Sequence, residues 1–158
     1  MEKNFDQELH EHMQIEKIRR MRLEYSYYMD VRDLDHVANL YSEDALCEFG
    51  PYGSWHGRET IRENFKQVFV GDLGPKFSSL HYNTNHLVWL DSDTEARGVC
   101  YLLDIETFRA ADSNSILWHA LYDEDYVKQD GVWMIKRSSL QFFWPERHAD
   151  ETRIAIHR

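Results

Sequence analysis

The sequence predicts an α+β fold. Apolar residues recur at helical spacing in the N-terminal part and in strand-like runs in the C-terminal part, and short turn-forming stretches separate four such long runs. Helices followed by a meander of strands define this class, whereas alternating βαβ units would define a parallel-sheet fold.

The first helix is predicted over residues 14–28, where Ile15, Ile18, Met21, Arg22, Tyr25 and Tyr28 share one face. It ends near "YYMDVRD". Asp33 is a good N-cap for a short second helix carrying Leu34, Val37, Ala38 and Tyr41, and "SEDALCEF" turns into a first strand. "GPYGSWHG" supplies turn residues, and "RETIRENFKQVF" gives a third helix with Ile61, Phe65, Val68 and Phe69 on one face. After "VGDLGPK" come strands over 78–90, 95–109, 115–129 and 132–143. Their separators "DSDT", "AADSN" and "QDG" are turn chemistry, so the strands form consecutive antiparallel hairpins. A curved sheet wrapped around helices makes a cone with an apolar interior, and pockets favour such mouths.

A chain of 158 residues has the size of one domain and buries about 70% of the surface its unfolded form exposes. One domain over 1–158 is expected, with a core of about 14–144 and a flexible tail at 145–158. Its 18 Lys and Arg against 28 Asp and Glu give a formal charge of -10, which repels phosphate backbones and anionic lipid, so neither nucleic acid nor a membrane is an expected partner. The charged N-terminus has no signal-peptide run and no stretch approaches the ~18 apolar residues of a membrane span, so a cytoplasmic location is expected. Cys47 and Cys100 match no CxxC or disulfide framework and are expected to be reduced and buried. The 5 Trp, 9 Tyr and 8 Phe suit an aromatic-lined pocket or an ordinary aromatic core.

Polar residues on apolar elements are the informative ones. In "SSLHYNTNHLVWLDSD", His81 and His86 lie five apart, which in a regular strand turns the two rings to opposite faces and leaves at most one inside. Asp104 shares a strand face with Leu102 and Cys100. A carboxylate at Asp30, at the end of the first helix, opposes the helix dipole and asks for a partner. If His81 is that partner, its imidazole is fixed in tautomer and made more basic, as a general base requires. The competing reading is a hydrogen-bonded structural histidine and an Asp104 returning to solvent at a strand end. His119 faces the same way as Leu117 and Leu121 and either lines the cavity or packs in the core. "HEH" at 10–12 lies in an acidic segment expected to fray, without metal-ligand company, and no phosphate loop, nucleophile elbow or dinucleotide fingerprint is present. No metal and no cofactor are expected; the chemistry is proton transfer.

"EYSYYMDVRDLDHVANLYSEDA", "LHYNTNHLVWLDSD" and "DGVWMI" together resemble the SnoaL-like branch of the nuclear transport factor 2-like superfamily, the branch of scytalone dehydratase, bile-acid dehydratase and hexachlorocyclohexane dehydrochlorinase. The resemblance covers roughly residues 14–144. It implies a cone-shaped barrel with three N-terminal helices packed on a curved, mostly antiparallel sheet. It puts the family's His–Asp pair on His81 and Asp30, and from the bile-acid enzyme a Tyr on Tyr25 and a further Asp on Asp104. Departures at Met29, Phe49, Glu106 and Phe142 mean that no individual substrate is implied.

The expected activity is a cofactor-independent lyase of the dehydratase type, or an isomerase, acting on a hydrophobic, cyclic small molecule. His81, Asp30, Tyr25 and Asp104 would be catalytic, with Phe49, Trp55, Tyr28, Leu102, His119 and Phe142 lining the substrate. The alternative is a non-catalytic ligand-binding or assembly subunit resembling a ring-hydroxylating dioxygenase small subunit, in which Phe49, Trp89 and Phe142 would fill the space at His81. A homodimer or homotrimer is expected, built on an outer sheet face carrying Trp133, Ile135 and Phe143 or their alternates.

Overall fold

The computed structural model describes residues 4–72, 77–108 and 116–144; the expected tail at 145–158 lies outside the described residues. Helix α1 spans Phe5–Asp30 and starts well before the predicted boundary. The reason is a capping box. Asn4 Oδ1 accepts from the Gln7 N–H at 2.9 Å while Gln7 Oε1 accepts from the Asn4 N–H at 3.2 Å. The 10–12 segment, expected to fray, is therefore helical.

The other end of α1 closes as a Schellman motif. The Arg32 N–H donates to Met29 O at 3.2 Å and the Asp33 N–H to Tyr28 O at 2.9 Å, with Arg32 at φ 65°. Glycine is usual at this position, and the left-handed conformation costs an L-residue roughly 1–2 kcal/mol. Asp33 then caps α2 (Leu34–Asn39) by accepting from the His36 N–H. Tyr41, expected on that helix, instead opens β1 (Tyr41–Glu48). A 3-10 turn, Gly50–Tyr52, leads to β2 (Ser54–His56), a short strand that the sequence shows only as turn residues. Helix α3 (Arg58–Lys66) continues into a π-helical turn, Gln67–Asp72.

Strands β3 (Phe77–Leu90), β4 (Glu95–Phe108), β5 (Ile116–Gln129) and β6 (Val132–Trp144) form the expected hairpins. The sheet order is β2-β1-β6-β5-β4-β3, with β1 and β6 parallel and every other neighbouring pair antiparallel. One sheet face packs on the helices. Ile18, Met21, Tyr25 and Met29 of α1 meet Ile61 and Phe65 of α3 and the inward residues Cys100, Leu102, Ala120, Tyr122, Trp133 and Ile135. No described helix is long and apolar enough to cross a membrane.

Strand β3 is not regular. A bulge between Thr84 and Leu87, with Asn85 at φ 52°, shifts its register against β4. Before the bulge Ser79, His81 and Asn83 point to the helices; after it His86, Val88 and Leu90 do. The expectation that His81 and His86 face opposite ways is therefore corrected: the extra residue reverses the alternation and both rings are inside. The same shift sets the cross-strand pairing. Continuing the register of Leu90↔Ala96 would put Ile105 opposite His81, whereas the bulge puts Asp104 there.

The structure fixes the outer face at one place that the sequence left open and corrects it at two others. Trp133 and Ile135 point inward, and the Trp133 indole N–H donates to Gln14 of α1. Trp89, cast as a cavity filler, is 41% exposed on the outside, next to Arg97. His119 is exposed and packs edge-on against Trp144, because Trp118 and Ala120 take the inward positions on β5. It lines an outer cleft of about 600 Å³ with Tyr101, Phe143 and Trp144, not the helix-covered interior.

Candidate active site

Three elements bring three predicted residues together. Asp30 is the last residue of α1, His81 sits near the start of β3, and Asp104 faces His81 from β4. The Asp30 carboxylate accepts the His81 backbone N–H at 3.0 and 3.2 Å, and its Oδ1 lies 2.6 Å from His81 Nδ1. An ionised carboxylate only accepts, so against ionised Asp30 a neutral His81 ring carries its proton on Nδ1 and leaves Nε2 bare. Nε2 lies 3.9 Å from Asp104 Oδ2, too far for a hydrogen bond. Asp104 Oδ1 is buried without a hydrogen-bond partner among the described residues. Burial pushes this carboxyl up to about 6, against the opposing pull of His81; Glu106 and Asp30 add to the rise and Arg32 reduces it.

The remaining predicted residues lie elsewhere in the fold. Tyr25, five residues before Asp30 in α1, is held edge-on by Tyr41, Phe65 and Tyr122, and burial raises its phenol well above the usual range. It is a neutral hydrogen-bond donor at physiological pH. The phenol of Tyr122, which packs on Tyr25, is likewise raised by burial, with Arg22 opposing and Asp104 and Glu124 adding to the rise. Leu102 is buried two residues from Asp104 on the same face. Phe49 and Trp55 pack on each other and on Phe65. Phe142 lies against Trp118 on the inward side. Tyr28 stacks on His36 of α2, at the edge of the core. His119 is on the other sheet face.

Sequence reasoning missed a second polar cluster, built on Arg22 in the C-terminal half of α1. Arg22 and Glu124 are both fully buried and joined at 3.0 Å. Glu124 also accepts from Ser138 and Tyr126, each at 2.7 Å, and Tyr126 Oη is 3.1 Å from His86 Nε2. The Arg22 guanidinium lies between the Tyr25 and Tyr122 rings, 3.9 and 3.6 Å from their centroids. Gly98 lets Tyr126 approach, since a Cβ there would come within 3.0 Å of its ring. The sequence signal for Glu124 was its inward parity with Ala120, Tyr122 and Tyr126, masked by its flanking acids in "YDEDY".

This cone of helices on a curved α+β sheet, with a His–carboxylate pair at its inner end, belongs to the nuclear transport factor 2-like class of folds. Within that class the chain is a member of the SnoaL-like domain family, whose model matches residues 11–139. Among solved structures it is similar to a scytalone dehydratase-like protein of Novosphingobium aromaticivorans, at 23% identity and a TM-score of 0.77, covering 94% of this chain and 97% of that one. It is also similar to a type 3 hexachlorocyclohexane dehydrochlorinase of Novosphingobium barchaimii, at 21% identity and a TM-score of 0.73, covering 87% and 91%. A search of curated proteins finds no match.

Proposed function

We propose that the protein is a cofactor-independent lyase of the dehydratase type, or an isomerase, in which His81 is the general base. The observation that carries this reading is the geometry of one ring: Nδ1 held by Asp30 at 2.6 Å and bare Nε2 facing Asp104 across a 3.9 Å gap. Names of the structural neighbours, a dehydratase and a dehydrochlorinase, support elimination chemistry. In the proposed reaction Nε2 takes a carbon-bound proton next to a carbonyl. The C–H electron pair becomes the enolate and then the new C=C bond, expelling the β-hydroxyl. Protonated Asp104 gives that hydroxyl its proton, so water leaves, and His81 later returns a proton to Asp104 or to solvent. Tyr25 would reinforce the developing oxyanion. Acid–base help of this kind is worth about 10²- to 10⁴-fold, enough for an acidified C–H.

The substrate is then a hydrophobic cyclic molecule, lined by Phe49, Trp55, Leu102 and Phe142. A cytoplasmic location and a homodimer or homotrimer complete the reading. The outer face supports assembly, since Leu80, Tyr82, Leu87, Tyr101 and Phe143 are each 42–53% exposed there. The test of activity is a panel of cyclic β-hydroxy ketones in D₂O, followed by mass spectrometry for water loss and for deuterium wash-in at the α-carbon. Wild-type protein should catalyse one or both on some member, and His81→Gln should not. Equal rates with and without wild-type protein across the panel would contradict the reading.

A further inference from the structure

Arg32 stands where the backbone prefers glycine, so its side chain has to explain its presence. At φ 65° it is the C′ residue of α1. Its guanidinium folds back along the helix end. Nη1 donates to Met29 O at 2.8 Å, and Nη1 and Nη2 each lie 3.2 Å from Ser79 Oγ on β3. The guanidinium carbon also rests 4.7 Å from the centre of the Phe69 ring, on the π-helical turn after α3.

The two anchor points flank the proposed dyad. Met29 is the neighbour of Asp30 in α1. Ser79 is 1% exposed, two residues before His81, and points the same way. One rigid, planar side chain therefore ties the end of α1 to the start of β3 beside the place where Asp30 and His81 meet. Guanidinium suits this, because its fixed fork reaches two acceptors at once, whereas an ammonium is a point donor on a flexible stem. An Nδ1···Oδ1 contact of 2.6 Å depends on helix and strand keeping their separation to a few tenths of an ångström.

We infer that Arg32 is a positioning residue for the His81–Asp30 pair, a clamp between α1 and β3 that fixes the base in its working geometry. The inference rests on the reading of His81 as the base, and it adds a residue that neither composition nor resemblance singled out. Through Met29 and Ser79, Arg32 acts on the elements that carry the pair, and its charge also opposes the rise of the Asp104 carboxyl.

The decisive variant is Arg32→Gly, because glycine relieves the backbone conformation while deleting the clamp. A residue present only to end the helix would be replaced by glycine at no cost. Arg32→Gly, Arg32→Lys and Ser79→Ala are compared with wild type in thermal unfolding, in the NMR resonance of the His81 Nδ1–H of ¹⁵N-histidine-labelled protein, and in turnover of a ketone accepted by wild type. Arg32→Gly should unfold within a few degrees of wild type, lose the sharp Nδ1–H resonance to solvent exchange, and lose about tenfold in kcat with KM within twofold. Arg32→Lys should recover part of both losses, and Ser79→Ala, which keeps Arg32 but removes one anchor, should show a smaller loss of each. A well-folded Arg32→Gly protein with an unchanged Nδ1–H resonance overturns the clamp. A resonance lost with turnover intact supports the clamp and counts against His81 as the base, so the two failures are distinct. Should Arg32→Gly not fold, an unchanged resonance in Ser79→Ala overturns the proposal in its place.

Discussion

Strand β3 carries two inward histidines with opposite settings. His86 is at the end of a closed chain: Nε2 meets Tyr126, Tyr126 donates to Glu124, and Glu124 is held by Arg22 and Ser138. Burial and the positive charges of Arg22 and Arg19 lower its pKa to about 4, so at neutral pH it is an uncharged structural ring. Among the described residues, the His81 ring has a hydrogen-bond partner only at Nδ1. Its Nε2 faces a carboxyl that is itself buried and incompletely bonded. What the second nitrogen meets separates the two rings: a filled hydrogen-bond chain for His86, and for His81 a buried carboxyl beyond hydrogen-bond reach.

That contrast is most severely tested at the closed end. Removing one partner of the buried pair, as in Arg22→Met or Glu124→Gln, should cost about 3–5 kcal/mol in urea unfolding, because the remaining charge is buried without compensation. The double variant should recover part of that loss. Single variants within 1 kcal/mol of wild type would show that the network does not anchor the fold.

At the open end the sign is reversed. The Asp104 carboxyl titrates near 6 in the folded protein against an ordinary 3.8, so the folded state holds this proton more tightly than the unfolded one. Its contribution is fully present below about pH 4 and is lost as pH rises through 6. At pH 8 the buried charge costs up to about 3 kcal/mol. Asp104→Asn should therefore raise stability relative to wild type at pH 8 by more than it does at pH 4. A substitution that only destabilises at pH 8 would refute this.

A smaller effect concerns His86, whose depressed pKa contributes stability above about 6.5 that is lost as pH falls toward 4. Between pH 7.5 and pH 5 wild type should lose roughly 1–2 kcal/mol that His86→Gln does not lose. Parallel urea titrations at the two pH values measure it, and equal pH dependence in both proteins would sink the assignment.

Regular elements were legible in the sequence, because helical and strand spacing follow from which residues must meet the core. The inward face of Asp104 could be read from Cys100 and Leu102, since β4 alternates without interruption. The face of His86 could not. One residue in the left-handed conformation, Asn85, reversed the alternation, and an asparagine inside a strand pattern was its only signal. Which of Trp133, Ile135 and Phe143 or their alternates faces outward stayed open for the related reason that a strand's parity is relative until one of its side chains is anchored, here Trp133 on Gln14. The Asp30–His81 pairing came from resemblance together with the cost of a carboxylate at a helix end. Arg22 could be read on the apolar face of the first helix, but its partner Glu124 and the Arg32 clamp stayed hidden, because charged residues read as solvent-facing until tertiary contacts are known.

The most direct test of the account compares the two histidines in the same reaction. Single-turnover rates of water loss are measured for wild type, His81→Gln, His86→Gln, Asp30→Asn and the His81→Gln/Asp30→Asn double variant, each shown to be folded. His81→Gln should be slower by about 10²- to 10⁴-fold and Asp30→Asn by about 10²-fold, with the double variant no worse than the poorer single one. His86→Gln should stay within about tenfold of wild type, its loss coming from packing alone. A folded His86→Gln protein that is slower in the chemical step than His81→Gln would contradict the central claim.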